Sequence, residues 1–227
     1  AVIPARGGSK RIKNKNTLLL AEKPLLTWTI DAAKGSKYID KVVVSSDSEE
    51  IRRIAIEAGA EAPFLRPPNL SGDHASSADV VLHSLKFLSE RGENFDTCIL
   101  LQPTSPLRSA VHIDEAFELY EKLEAKSIIS VTNIGHPIEW VNELGDAGQM
   151  DIFFTKDSVY KRSQDYPERY MINGAIYIFG VDQFKVDNSY FFERGSFAYV
   201  MRKRDSIDID TYDDLDLAEM SLKLTLN

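Results

Sequence analysis

Cysteine is almost absent. Cys98 stands alone among 227 residues, so no internal disulfide can form. A lone thiol fits a reducing compartment, and a cytoplasmic protein is the expectation. No apolar run approaches the roughly 18 residues that a membrane-spanning helix needs, which argues against a membrane protein. A basic excess is missing as well. The net charge is −8, which disfavours a general nucleic-acid binder. The histidines at 74, 83, 112 and 136 are scattered, so no His/Cys zinc cluster competes for attention. His83 falls within a helical pattern and reads as a surface or packing residue. Neither G-x-x-x-x-G-K-[ST] nor G-x-G-x-x-G occurs, so ATPase and dehydrogenase readings lack their local signatures. No repeat or low-complexity tract is present. No signal peptide is visible, although the chain begins inside an apolar run and a few residues are expected to precede it.

What is present is an ordinary globular composition, 43% hydrophobic and 27% charged. The length suits one domain over residues 1–227, with a core that needs no staples. Ala1–Pro4 reads as a buried strand stub. Pro24 opens a helix that ends near Gly35, and Lys41–Ser45 is a β-branched strand. Asp47 or Ser48 caps the next helix, whose apolar residues Ile51, Ile54, Ala55 and Ala58 keep helical spacing until Gly59. Ala62–Leu65 is extended, Ser76 starts a helix, Thr97–Leu101 is an apolar strand, Ser109 caps a helix and Ser127–Val131 is another strand. Strands alternating with helices predict an α/β fold: a Rossmann-like, mostly parallel sheet with helices on both faces. The rhythm breaks at 133–170, which reads as an inserted arm of antiparallel strands and an oligomer contact. Core strands resume at Gly174–Phe179 and Phe197–Met201, and Thr211 caps a last helix over Tyr212–Leu224.

Charge is unevenly placed. Residues 6–15 hold Arg6, Lys10, Arg11, Lys13 and Lys15 and no acid, leaving −13 on the rest of the chain. A charge run alone reads as a solvated loop. Here the run contains Gly7-Gly8 and follows a strand, at the sheet edge where α/β ligands bind. Glycines let backbone N–H groups approach a phosphate, and Lys10 and Lys15 supply cations for phosphoryl oxygens. Far along the chain, Ser206-Ile207-Asp208-Ile209-Asp210 alternates apolar and polar residues. In an extended strand Asp208 and Asp210 would share one face, about 7 Å apart at Cα. That pair suits Mg²⁺ held jointly with substrate phosphates. A solvated acidic strand face is an equal reading of D-x-D taken alone. Gln102-Pro103-Thr104-Ser105-Pro106-Leu107-Arg108 forms a stiff turn after a buried strand, and composition alone makes it only a turn.

Taken together, Ile3–Lys10, Lys15-Asn16, Arg66-Pro67, Ala75-Ser76-Ser77, Leu101–Arg108, Asn173–Tyr177 and Asp205–Asp210 resemble the CMP-sialic acid synthetase (N-acylneuraminate cytidylyltransferase) family. The matches run through nearly the whole chain in family order. The resemblance implies a nucleotide-diphospho-sugar transferase fold. The implied reaction is attack of a nine-carbon (nonulosonic) sugar acid on the α-phosphate of CTP, giving a CMP-sugar and pyrophosphate with Mg²⁺. It implies that Arg6, Ser9, Lys10 and Lys15 contact the triphosphate, with Ala5 and Gly8 in the same loop. Asn16, Arg66, Ala75 and Ser77 would surround the cytidine. Gln102 would lie near the sugar acid, Tyr177, Phe191 and Phe192 around it, and Asp208 and Asp210 would carry the metal. Arg6, Lys10, Lys15, Gln102, Asp208 and Asp210 form the implied catalytic set; the general base stays open between a metal-bound carboxylate and water. A homodimer through the 133–170 arm is implied, with some aromatics crossing it. Neither nucleic acid nor membrane is an expected partner. Two departures stand out. Lys13 replaces a common proline. Glu139 replaces a lysine near the sugar carboxylate, with Arg162 or Arg169 as substitutes. The expectation is therefore a bacterial legionaminic or pseudaminic type. Enzymes for deoxyoctulosonate or sugar-1-phosphates, or a non-catalytic nucleotide-binding module, are the alternatives.

Overall fold

A computed structural model describes residues 1–72, 75–153 and 161–226; His74 and positions 154–160 of the expected arm lie outside them. β1 (Val2–Pro4) leads through a polar loop to a short hairpin, β2 (Leu19–Leu20) and β3 (Lys23–Pro24). Then come α1 (Leu25–Gly35), β4 (Val43–Ser45), α2 (Glu49–Glu57), α3 (Ser77–Glu90), β5 (Thr97–Leu100) and α4 (Ala110–Lys122). β6 (Ser127–Asn133), β7 (Tyr170–Gly180), α5 (Val181–Asp187), β8 (Ser196–Met201) and α6 (Tyr212–Leu226) complete the chain.

The six-stranded sheet runs β4-β1-β5-β7-β6-β8. β1 is parallel to both neighbours and β6 is parallel to β8. β7 alone runs against the others, inserted between β5 and β6. Alternation of side chains decides the two faces. Ile3, Val44, Ile99, Leu101, Ile128, Ile176 and Ile178 pack on one side with Ile30 of α1, Ile51 of α2 and Ile113 of α4. Val2, Cys98, Leu100, Ile129, Tyr177 and Phe179 turn to the other side, against Val81 and Leu85 of α3 and Phe184 of α5. Each fully buried aliphatic or Phe side chain contributes about 1.5–3 kcal/mol. The expected α/β class with helices on both faces is thus the observed architecture.

Helix starts follow local chemistry. Ser48 Oγ accepts the Ile51 N–H at 3.4 Å and Ser76 Oγ accepts the Asp79 N–H at 3.0 Å, closing α2 and α3. Three sequence expectations need adjustment. The hairpin β2–β3 and helix α5 were not foreseen, because two-residue strands and one seven-residue helix carry too little periodicity. Ser206–Asp210 forms no strand ladder; its backbone meets the sheet side where the Ile209 N–H bonds Thr104 O at 2.8 Å. Among the described residues of 133–170, antiparallel pairing is confined to the stem, ending at Asn133 opposite Tyr170. Past the stem the described residues form single 3-10 turns at Ile138–Trp140, Asp151–Phe153 and Ser163–Asp165.

Candidate active site

A cleft of about 350 Å³ opens at the carboxyl ends of β1 and β5. Its wall includes Arg6, Gly8, Ser9, Lys15 and Asn16 from the loop after β1. Arg66, Ala75 and Ser77 come from the stretch before α3 and its first turn, and Gln102, Pro103 and Thr104 from the turn after β5. Asp208 and Asp210 close it from the segment before α6. This volume lies within the range that holds small ligands.

The loop is shaped from behind. Ala5 is fully buried, and its N–H bonds Ser45 O at 2.9 Å. The Gly7 N–H donates to Asp47 Oδ1 at 2.8 Å, and a Cβ on Gly7 would stand 3.1 Å from that of Ser48. A Cβ on Gly8 would meet nothing within 4 Å, since Gly8 faces the open cleft. Asn16 Nδ2 donates to Arg6 O at 2.9 Å, folding the far end of the loop back onto its start.

An apolar clasp brings the loop to the aspartates. Ile12 sits between Arg11 and Lys13, and Ile209 between Asp208 and Asp210; both are fully buried in one cluster with Leu20, Leu25 and Ala218. With the two isoleucines turned inward, their charged neighbours are left at the surface. Lys15 Nζ then donates to Ile209 O at 2.8 Å and to Asp210 Oδ1 at 3.0 Å, while Arg11 Nη1 reaches Asp210 Oδ2 at 2.5 Å. Asp214 fixes the backbone here by accepting the Asp210 and Thr211 N–H groups at 3.1 and 2.7 Å. Loss of water around the Asp208 carboxyl raises its pKa. The Thr104 hydroxyl opposes that rise, the Asp210 charge adds to it and Lys15 opposes it.

Gln102 is held through its backbone. Arg108, 1% exposed, donates from Nη1 to both Gln102 O and Ala175 O at 3.2 Å, and burial pulls its pKa down to about 9. The Gln102 side chain runs over Gly174 (φ +75°), where a Cβ would lie 2.5 Å from Gln102 Oε1. Next to it, buried Asn173 joins three elements. Its Oδ1 accepts from Ser130 Oγ at 2.6 Å and from the Ala175 N–H at 3.2 Å, and its Nδ2 donates to Ser206 Oγ at 2.9 Å.

Not every residue named from the sequence lines the cleft. Ala5 is buried behind it, and Lys10 is exposed on the loop beside Ser9. Tyr177 packs in the core against Tyr190 (5.0 Å between ring centres) and edge-on to Phe191 (6.1 Å). Burial pushes the Tyr177 phenol up to about 12, with Tyr190 and Asp208 adding to the rise. Phe191 is half exposed and Phe192 joins the α3-side core. His83 packs edge-to-face on Phe64 at 4.7 Å, a packing role as expected. Thr104, Arg11 and Asp47 are the residues sequence reasoning passed over. Thr104 lay inside the quoted turn and Arg11 inside the cationic run. Asp47 carried no signal beyond a possible helix cap.

Comparison with known proteins adds to this geometry. A family described as "Cytidylyltransferase" matches residues 1–223. N-acylneuraminate cytidylyltransferase of Escherichia coli O18:K1:H7 is 41% identical over 219 residues, covering 96% of this chain. The chain spans half the length of that enzyme. Pseudaminic acid cytidylyltransferase of Campylobacter jejuni is 37% identical over 224 residues, covering 98% of this chain and 95% of the relative. Among solved structures, a CMP:2-keto-3-deoxy-manno-octonic acid synthetase complexed with CTP superposes with a TM-score of 0.72. That alignment covers 99% of this chain and 98% of the other at 16% identity, a likeness of fold.

Proposed function

The chain belongs to the cytidylyltransferase family, and from that premise we propose that it transfers CMP from CTP to a nine-carbon nonulosonic acid, releasing pyrophosphate. The observation that carries this reading is the meeting of a cationic glycine loop and an aspartate pair on one cleft. Sugar acid and triphosphate are both anionic, so cations must offset their repulsion as they approach. Arg6, Ser9, Lys10 and Lys15 bind the triphosphate, with the backbone of Gly8 close to it. Asn16 from the loop after β1, and Arg66, Ala75 and Ser77 from the stretch before α3 and its first turn, surround the cytidine. Gln102 orients the sugar acid, and Tyr177 backs that region.

The donor set fits Mg²⁺. Asp208 and Asp210 present hard oxygens to one cleft, and among the described residues no larger group of His, Cys, Asp or Glu gathers as ligands. A pair leaves positions for phosphate oxygens and water, as Mg²⁺ prefers. When bound, Mg²⁺ supplies charge stabilisation at the transferred phosphoryl group and the leaving pyrophosphate. Lys15, bonded to Asp210, holds that carboxylate beside the cleft.

The sugar is of the bacterial pseudaminic or legionaminic type. The nearly full-length match to a pseudaminic acid cytidylyltransferase supports this. Glu139 does not discriminate among nonulosonic acids, because each carries a carboxylate that its charge would repel. Arg169 Nη2 stands 3.6 Å from Glu139 Oε1 and takes up part of that charge. The working unit is a homodimer built on the 133–170 arm. Within the arm, Ile138, Trp140, Val141, Leu144 and Met150 are exposed apolar side chains suited to a second copy. No helix of the described residues is long and apolar enough to cross a membrane. CTP consumption and the reduced Cys98 support a cytoplasmic enzyme.

The test is pyrophosphate release from CTP and Mg²⁺ with a panel of sugar acids. Release with pseudaminic or legionaminic acid is expected. Release only with a deoxyoctulosonate or a sugar-1-phosphate overturns the substrate class, and preference for N-acetylneuraminate overturns the pseudaminic or legionaminic assignment.

A further inference from the structure

We infer that Asp47 is a positioning residue for the nucleotide site, acting through Gly7 and Arg66 without lining the cleft itself. The inference rests on the nucleotide reading of that cleft. Asp47 follows β4 at the point where the chain turns into α2. Its backbone is held on both sides: the Ser48 N–H bonds Ser46 Oγ at 3.1 Å, and Ser46 O accepts the Arg66 N–H at 2.7 Å. The side chain therefore projects from a fixed base.

One carboxylate oxygen serves two clients. Asp47 Oδ1 accepts the Gly7 N–H at 2.8 Å and lies 3.8 Å from Arg66 Nη2. The Gly7 amide is thereby committed behind the loop, which leaves phosphate contact to the backbone beyond it, where Gly8 and Ser9 line the cleft. Arg66 is 4% exposed, and its Nε and Nη2 have no hydrogen-bond partner among the described residues. Burial and the Arg6 charge both disfavour its cationic form, and Asp47 offsets them. Two cations of the cleft, Arg6 and Arg66, thus sit together because a carboxylate stands behind them. The same carboxylate sets the path of the glycine turn. Removing it frees the turn and leaves a buried arginine without a counter-charge.

The test compares wild type, Asp47→Ala and Asp47→Asn by calorimetric CTP titration, steady-state kinetics and thermal melting. Asp47→Ala is expected to weaken CTP binding about tenfold or more, the loss of a charge-assisted hydrogen bond. KM for the sugar acid is expected to stay near wild type, while the melting temperature of Asp47→Ala falls because buried Arg66 loses its counter-charge. Recovery in Asp47→Asn, which keeps an acceptor oxygen, assigns the effect to the Gly7 bond; no recovery assigns it to the charge facing Arg66. CTP binding unchanged in Asp47→Ala overturns the inference. So does a loss of CTP binding matched by an equal loss of sugar-acid binding, since that marks a general structural role. A wild-type chain that takes up no CTP overturns the nucleotide reading itself, and this inference with it.

Discussion

Ile12 and Ile209 are buried in the same apolar cluster, and the salt bridge from Lys15 to Asp210, 3.0 Å long, forms beside that contact. Packing here decides electrostatics. Neither residue has a polar function, yet together they draw a basic loop and an acidic segment to one edge of the sheet. Ile209→Ala is expected to cost about 2–5 kcal/mol of stability, as for other buried aliphatic truncations. It should also raise the Mg²⁺ concentration needed for half-maximal turnover, because Asp208 and Asp210 lose their shared anchor. Denaturant melts and Mg²⁺ titrations of turnover measure both effects. Normal Mg²⁺ dependence in a destabilised variant would separate the anchor from the site.

Gly174 and Gln102 form the second close contact. At φ +75°, with Gln102 Oε1 2.5 Å from any Cβ, Gly174→Ala must displace the glutamine and strain the backbone. The expected stability loss is about 1–3 kcal/mol. KM for the sugar acid should rise while CTP binding, on the opposite wall, changes little. Steady-state kinetics with each substrate varied in turn would expose an effect that falls on CTP instead.

Asp208 sets the acid limit. Its pKa is raised mainly by loss of water, so the folded chain holds this proton at pH values where the unfolded chain has released it. By linkage, stability falls as pH rises through that window, and at neutral pH the carboxylate is kept charged at a cost. Asp208→Asn should therefore melt no lower than wild type at pH 7, while turnover is lost. For the wild type, the Mg²⁺ needed for half-maximal turnover should rise on acidification, because proton and metal compete for this carboxylate. Mg²⁺ titrations of turnover across pH and paired melts test this, and an Asn variant that melts clearly lower would contradict it.

Cys98 is 3% exposed in β5, and burial pushes its thiol up to about 11. A protonated, enclosed thiol is a poor nucleophile. Iodoacetamide at pH 8 should leave the folded protein unlabelled and label it in denaturant. Mass spectrometry reads the difference, and rapid labelling of the native chain would show that β5 opens.

Much of the fold was legible because its signals are local. β-branched runs such as Val42-Val43-Val44, and helices opened by Ser48, Ser76 and Ser109, announce themselves within about ten residues. The glycine turn, the aspartate pair and the Gln102 turn were visible as separate motifs for the same reason. The antiparallel course of β7 was not, because strand direction depends on where the chain re-enters the sheet. Asp47 stayed hidden because its partners, Gly7 and Arg66, are distant in sequence and an aspartate before a helix reads as a cap.

The amino-acid order alone determined the alternating elements, the excess of cation in residues 6–15 and the two-residue spacing of Asp208 and Asp210. Only the tertiary structure decided that these meet. Their meeting depends on Ile12 and Ile209 leaving water together, and on Asn173 bonding Ser130 and Ser206 at once. Such contacts join residues far apart along the chain, where the driving force is burial of shared surface rather than any local preference of the backbone.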